Sequence, residues 1–165
     1  MAEVPQARHI ILLGDTYKHM ADKFRMGIAG MVNDHIYFMA DAVKALPNAV
    51  LVSAAEPVEE LRQRAVERWG VATTYATYEE MFDQEQLDGV VICSDNADKV
   101  KIVKLAAAKG VHCYVDKPMS AFLAEADEMV RVSREAGIKM MIAYHPYFNT
   151  TYNTAKQLIK EGKIG

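Results

Sequence analysis

From Phe24 onward, short apolar runs alternate with longer stretches whose apolar positions recur at helical spacing. The runs cover residues 25–29, 49–54, 89–93, 111–115 and 139–144. They are rich in Val, Ile and Met and nearly unbroken in apolarity, which predicts strands buried on both faces. Between them, Ile36, Met39, Ala40, Val43 and Leu46 form one helical stripe, and Val58, Leu61, Ala65 and Trp69 form the next. Phe122, Ala126, Met129, Val130 and Ser133 make a third.

Turn and cap residues fall where this alternation needs them. Pro57 suits a first helical turn, and Gly70, Gly110, Gly137 and Gly162 each follow a helical stretch, where a left-handed cap is favoured. Thr77-Tyr78-Glu79-Glu80 reads as a capping box, and Ser120 as an N-cap. Strand–helix alternation at this spacing predicts right-handed crossovers and a doubly wound parallel sheet, an α/β three-layer, Rossmann-like fold. The division expected is a leader over 1–24 with an extra strand near residues 9–13, a dinucleotide-binding domain over 25–148, and a helix over 149–165 leading into a further domain.

Composition narrows the function classes. A length of 165 residues suits one α/β domain. The net charge of −3 gives no footprint for nucleic acid or an anionic membrane. No apolar run approaches the roughly 18 residues of a membrane span, and the N-terminus lacks the layout of a secretory signal. Cys93 and Cys113 sit inside apolar runs, which reads as buried free thiols in a reducing cytoplasm rather than a disulfide. No His, Cys and carboxylate spacing composes a metal site, and no Ser-His-Asp or Cys-His arrangement is present.

In an open parallel sheet, ligands bind beyond the carboxyl ends of the strands, where the winding reverses. Five loops with polar or glycine content fall on that rim. They hold Gly30-Met31-Val32-Asn33-Asp34-His35, then Glu56, Ser94-Asp95-Asn96, Asp116-Lys117-Pro118 and Tyr144-His145-Pro146. The first loop is a degenerate glycine fingerprint: Gly30 fills its first position, whereas Val32 and His35 occupy the second and third. It reads either as a phosphate loop or as a tight strand-to-helix turn. Glu56 can accept hydrogen bonds from adenosine ribose hydroxyls and would repel a 2′-phosphate, favouring NAD over NADP; the other reading is a surface acid at a helix start. His35 is either a hydrogen-bond donor to phosphate or a polar helix-start residue, and His145 a substrate contact or a structural histidine.

The run Val111-His112-Cys113-Tyr114-Val115-Asp116-Lys117-Pro118-Met119-Ser120 resembles the segment ending in Glu-Lys-Pro of the Gfo/Idh/MocA oxidoreductases. Residues 87–94 are similar to the strand before that family's cofactor loop, and Gly162-Lys163-Ile164-Gly165 to its entry into a second domain. The resemblance implies an NAD-dependent enzyme, with NADP the less favoured cofactor, acting on a sugar, polyol or related hydroxy compound. Lys117 would lie beside the nicotinamide and the substrate hydroxyl, with Asp116 in the place of the usual Glu to position it and Pro118 holding the turn. Ser94, Asp95 and Asn96 would line the cofactor groove and Glu56 would hold the ribose. The family's second domain would supply most substrate contacts, so negligible turnover is expected of these 165 residues alone. The stripe of the last helix, with Tyr152, Ala155, Leu158 and Ile159, would cover that domain or a neighbouring chain of a homo-oligomer. Val32, Asp95, Lys99 and Tyr147 depart from the family's usual glycine, proline, histidine and arginine. The alternative function is a dinucleotide-binding or sensor module without catalysis.

Overall fold

A computed structural model describes residues 23–165; the leader strand expected near residues 9–13 lies outside them. Six strands form one sheet: β1 (Phe24–Ala29), β2 (Ala49–Ala55), β3 (Thr73–Tyr75), β4 (Gly89–Ile92), β5 (His112–Val115) and β6 (Met140–Ile142). Every pairing is parallel and the order is β3-β2-β1-β4-β5-β6. The helices are α1 (His35–Lys44), α2 (Glu59–Trp69), α3 (Tyr78–Gln84), α4 (Lys99–Ala108), α5 (Leu123–Glu135) and α6 (Thr150–Lys160), with a 3-10 turn over His145–Phe148. The doubly wound α/β sheet expected from the alternation is therefore present.

Two apolar layers cover the sheet. On one face Ile28, Leu51 and Val91 pack with Ile36 and Met39 of α1 and Trp69 of α2. On the other, Val90, Ile92 and Val115 pack with Met81 and Phe82 of α3, Ile102 and Val103 of α4, and Met129 of α5. Strands covered by helices on both sides expose no polar face, which is why their sequences do not alternate.

The caps follow the sequence with two changes. Thr77 Oγ1 accepts the Glu80 amide at 3.3 Å, and the four glycines after helices have φ between 66° and 71°. Pro57, however, lies ahead of α2, which begins at Glu59. Ser120 does not cap α5: its hydroxyl donates to the Phe122 carbonyl, and Glu125 reaches back to the Phe122 amide. Leu46, Val58 and Phe122 are exposed rather than part of their stripes, because each lies just outside its helix. The strand β3 was not expected; Thr73-Thr74-Tyr75 is a short, largely polar segment at the sheet edge.

The order of strands fixes where a ligand can lie. The chain winds outward from β1 to β3, crosses back to β4 on the other side of β1, and winds outward again. The crevice between the ends of β1 and β4 is the switch point of the sheet.

Candidate functional site

At that switch point a cleft of about 400 Å³ opens between the loops after β1, β4 and β5. Its walls are Val32, Asn33, Asp34 and His35 from the first loop, Ser94, Asp95 and Asn96 from the second, and Lys117-Pro118 from the third. All nine of these residues belong to the loops expected on the rim. Gly30, Met31, Glu56 and Asp116 lie buried beneath this surface. His145 stands to one side on the 3-10 turn, its ring edge-on to Phe38 at 4.6 Å.

Gly30 makes the crevice narrow. Its φ is 82°, and a Cβ there would sit 2.5 Å from Ser94 Cα. Only glycine lets the β1 and β4 loops touch in this way. Beyond it, the loop spends its amides internally. Gly30 N donates to Ala55 O at 2.9 Å, Val32 N to Cys93 O at 3.1 Å, and Met31 N to Glu56 Oε2 at 2.7 Å. His35 N donates to Asn33 Oδ1, and Ile36 and Tyr37 to carbonyls one turn back. Among the described residues, only Asn33 and Asp34 keep amides of this loop without an acceptor.

Glu56 is 2% exposed, and its carboxylate is turned inward. Oε2 takes the Met31 amide and Oε1 the Val58 amide at 3.0 Å, so the side chain ties the β1 loop to the start of α2. The Arg62 guanidinium occupies the outer side of this strand end, donating to Glu56 O at 2.6 Å and Pro57 O at 2.9 Å.

Asp116 is also directed away from its expected partner. Its carboxylate, 1% exposed, lies 2.9 Å from His35 Nδ1 and accepts from Asn33 Nδ2 at 3.3 Å, joining the end of β5 to the start of α1. Cys93 Sγ stands 3.8 Å from Asp116 Oδ2, and burial together with the Asp116 charge pushes its thiol up to about 11. Lys117 is exposed and, among the described residues, carries no ion pair. An unpaired ammonium at the wall of a polar cleft can bind an anion or a developing alkoxide.

Lys99 does the positioning instead. It is 1% exposed, and its ammonium donates to Asp116 O and Pro118 O, both at 2.7 Å, and to Asn96 Oδ1 at 3.0 Å. Burial holds that ammonium below the ordinary lysine value, against the pull of the Asp116 charge. The residue fixes the Asp-Lys-Pro turn, whose Lys117-Pro118 bond is cis, against the β4 loop. A signal for it exists in the sequence: Lys99, Ile102, Val103 and Ala106 share the buried face of α4 at helical spacing. Among the described residues there is no cluster that could hold a metal.

The donor set fits part of a nicotinamide dinucleotide. Lys117, Asn96 and His35 bring side-chain donors to the cleft, beside the Asp34 and Asp95 carboxylates of the same lining. At the ribose end the fit differs from expectation, because Glu56 presents no carboxylate to the surface.

Comparison with known proteins agrees with this architecture. Residues 24–144 match the Gfo/Idh/MocA oxidoreductase family, NAD-binding Rossmann fold. The myo-inositol 2-dehydrogenase of Thermotoga maritima is 24% identical over 126 residues, which span 76% of this chain and 38% of that protein. The D-xylose 1-dehydrogenase (NADP+) of Haloarcula marismortui is 37% identical over 92 residues, spanning 54% of this chain and 26% of the relative. The crystal structure of scyllo-inositol dehydrogenase from Lactobacillus casei with bound NAD(H) and scyllo-inositol superposes with a TM-score of 0.78 at 23% identity, covering 87% of this chain and 43% of that one. The chain thus spans about two-fifths of the length of the inositol dehydrogenases it resembles. With the matched segment running from β1 through the end of β6, the chain belongs to the Gfo/Idh/MocA family of oxidoreductases and carries its NAD-binding Rossmann fold.

Proposed function

We propose that this chain is the dinucleotide-binding part of an NAD-dependent oxidoreductase that acts on a sugar, polyol or related hydroxy compound. The carrying observation is the cleft at the β1–β4 switch point, to which the Asp-Lys-Pro turn brings an ammonium that has no partner carboxylate among the described residues. The bound nicotinamide supplies the hydride acceptor or donor. Lys117 orients the reacting hydroxyl, offsets alkoxide charge and passes its proton. Asn96, Ser94 and Asp95 form the wall opposite His35, and Lys99 keeps the turn in place. His145, on the rim beyond Phe38, is a candidate for contact with substrate.

In this reading residues 25–148 are the dinucleotide-binding unit, and α6 is the helix that leads away from it. Its exposed Tyr152 and Ile159 support a face covered by a further domain or by a second copy of the chain. The inositol and xylose dehydrogenases among its relatives support a polyhydroxy substrate, whose contacts would come mainly from outside this chain. Two buried free thiols support a cytoplasmic, reducing setting. No helix among the described residues is long and apolar enough to cross a membrane.

Calorimetric titration with NAD, NADH and NADPH tests the reading: NADH binds, and Lys117→Ala weakens it. No binding of any of the three would overturn it. A second reading, dinucleotide sensing without turnover, draws on the internally satisfied amides of the β1 loop and on the exposed Val32. Hydride transfer by a longer form of the protein, measured against a panel of polyols, separates the two.

A further inference from the structure

The β1–α1 loop spends most of its amides within the protein, so among the described residues it offers an anion in the cleft only the Asn33 and Asp34 amides, and side chains must supply the rest. We propose that His35, standing where the fingerprint has its third glycine, binds the diphosphate of the dinucleotide as an imidazolium held from behind by Asp116. This rests on the dinucleotide reading above and adds to it that binding is coupled to proton uptake.

The geometry of the ring carries the argument. Nδ1 faces the Asp116 carboxylate at 2.9 Å, while the side chain is 32% exposed and lines the cleft. Among the described residues, Nε2 has no hydrogen-bond partner. Asp116 fixes the proton on Nδ1, so a neutral ring turns a bare acceptor, Nε2, outward. A second proton converts that acceptor into a charged donor, which suits a phosphate oxygen.

The charges around the ring favour that second proton once an anion arrives. On its own loop stands Asp34, and across the cleft Asp95, so two carboxylates line the site against the single ammonium of Lys117. Behind the ring, the Asp116 carboxylate is accompanied by the Lys99 ammonium on its carbonyl and by the Cys93 thiol. On the β6 side, His145 lies beyond Phe38, whose ring is 5.5 Å from that of His35. With His35 neutral, a diphosphate enters a cleft lined by a net negative charge; with His35 protonated, the lining is neutral. Binding therefore favours the protonated ring, and affinity rises as pH falls.

The test is calorimetric titration of the whole chain with ADP-ribose, which keeps the diphosphate and lacks nicotinamide, at pH 8, 7 and 6. Two buffers of different ionisation enthalpy at each pH count the protons taken up. Expected are affinity tighter by about tenfold at pH 6 than at pH 8 and up to about one proton bound per ligand. His35→Gln keeps a donor but cannot titrate, and flattens the profile; His145→Gln leaves the slope in place. A flat profile or no proton uptake in the unsubstituted chain overturns the proposal without needing any variant to fold, and so does a slope that survives in His35→Gln. Failure of ADP-ribose and NADH to bind at any pH overturns the dinucleotide reading as well; binding without a pH slope overturns this inference alone.

Discussion

The carboxylate of Glu56 accepts the amide hydrogen of Met31 across a distance of 2.7 Å, inside the protein rather than at its rim. The residue thereby holds the first loop of the cleft to the end of β2, and its loss is expected to be felt in stability before it is felt in binding.

Glu56→Gln is the direct measure. The amide keeps the shape but turns an N–H group toward a backbone N–H, leaving a buried donor unsatisfied at a cost of about 1–3 kcal/mol. The expected result is a melting temperature lower by several degrees. An unchanged melting temperature with NADH binding alone impaired would return Glu56 to the ribose.

Gly30→Ala tests the contact between the β1 and β4 loops. A methyl group meets Ser94 Cα at 2.5 Å and the backbone is at φ 82°, so both crowding and conformation oppose it. A loss of about 2 kcal/mol or more is expected in denaturant unfolding.

Lys99 and Lys117 separate positioning from chemistry. Lys99→Met removes the donor from two carbonyls and an amide oxygen and is expected to cost about 3 kcal/mol, with the Asp-Lys-Pro turn released. Lys117→Met, at an exposed position, is expected to leave stability within about 0.5 kcal/mol and to weaken dinucleotide binding. Thermal melts of the two variants side by side decide this; equal destabilisation would contradict it.

Alkaline pH probes the two thiols. Burial pushes Cys113 up to about 12 and Cys93 to about 11, both above the ordinary value of 9.0. Between those values the unfolded thiol releases its proton while the folded one keeps it. Their stabilising contribution is whole below pH 9 and is lost as pH rises through the folded values. Cys113→Ser should flatten the fall in urea stability between pH 9 and 10.5, and native Cys93 and Cys113 should react with thiol reagents only as fast as the chain opens.

How much of this was legible beforehand depends on range. The alternation of apolar runs and helical stripes is local, and it delivered five of the six strands in the observed sheet within one or two residues. The edge strand β3 escaped because Thr73-Thr74-Tyr75 has too little apolar content for a buried run; it is a strand by virtue of pairing with Ser53, Ala54 and Ala55. The rim was readable because parallel topology puts every strand end on one side. The directions of Glu56 and Asp116 were not, since each depends on an amide or imidazole contributed by another loop. Lys99 was visible as a departure from the family, but its burial depends on carbonyls that only the folded Asp-Lys-Pro turn supplies.

The strand order also carries a kinetic consequence. Pairing β1 with β2 sets Phe24 against Ala49, whereas pairing β1 with β4 sets Met26 against Gly89, closing a loop more than twice as long. The β1–α1–β2 unit can assemble from nearby segments, while β4 must be recruited from far along the chain. Because the cleft exists only where those two pieces meet, it is completed late in folding. A molecule seated there acts as a latch across the seam, slowing the first parting of the sheet.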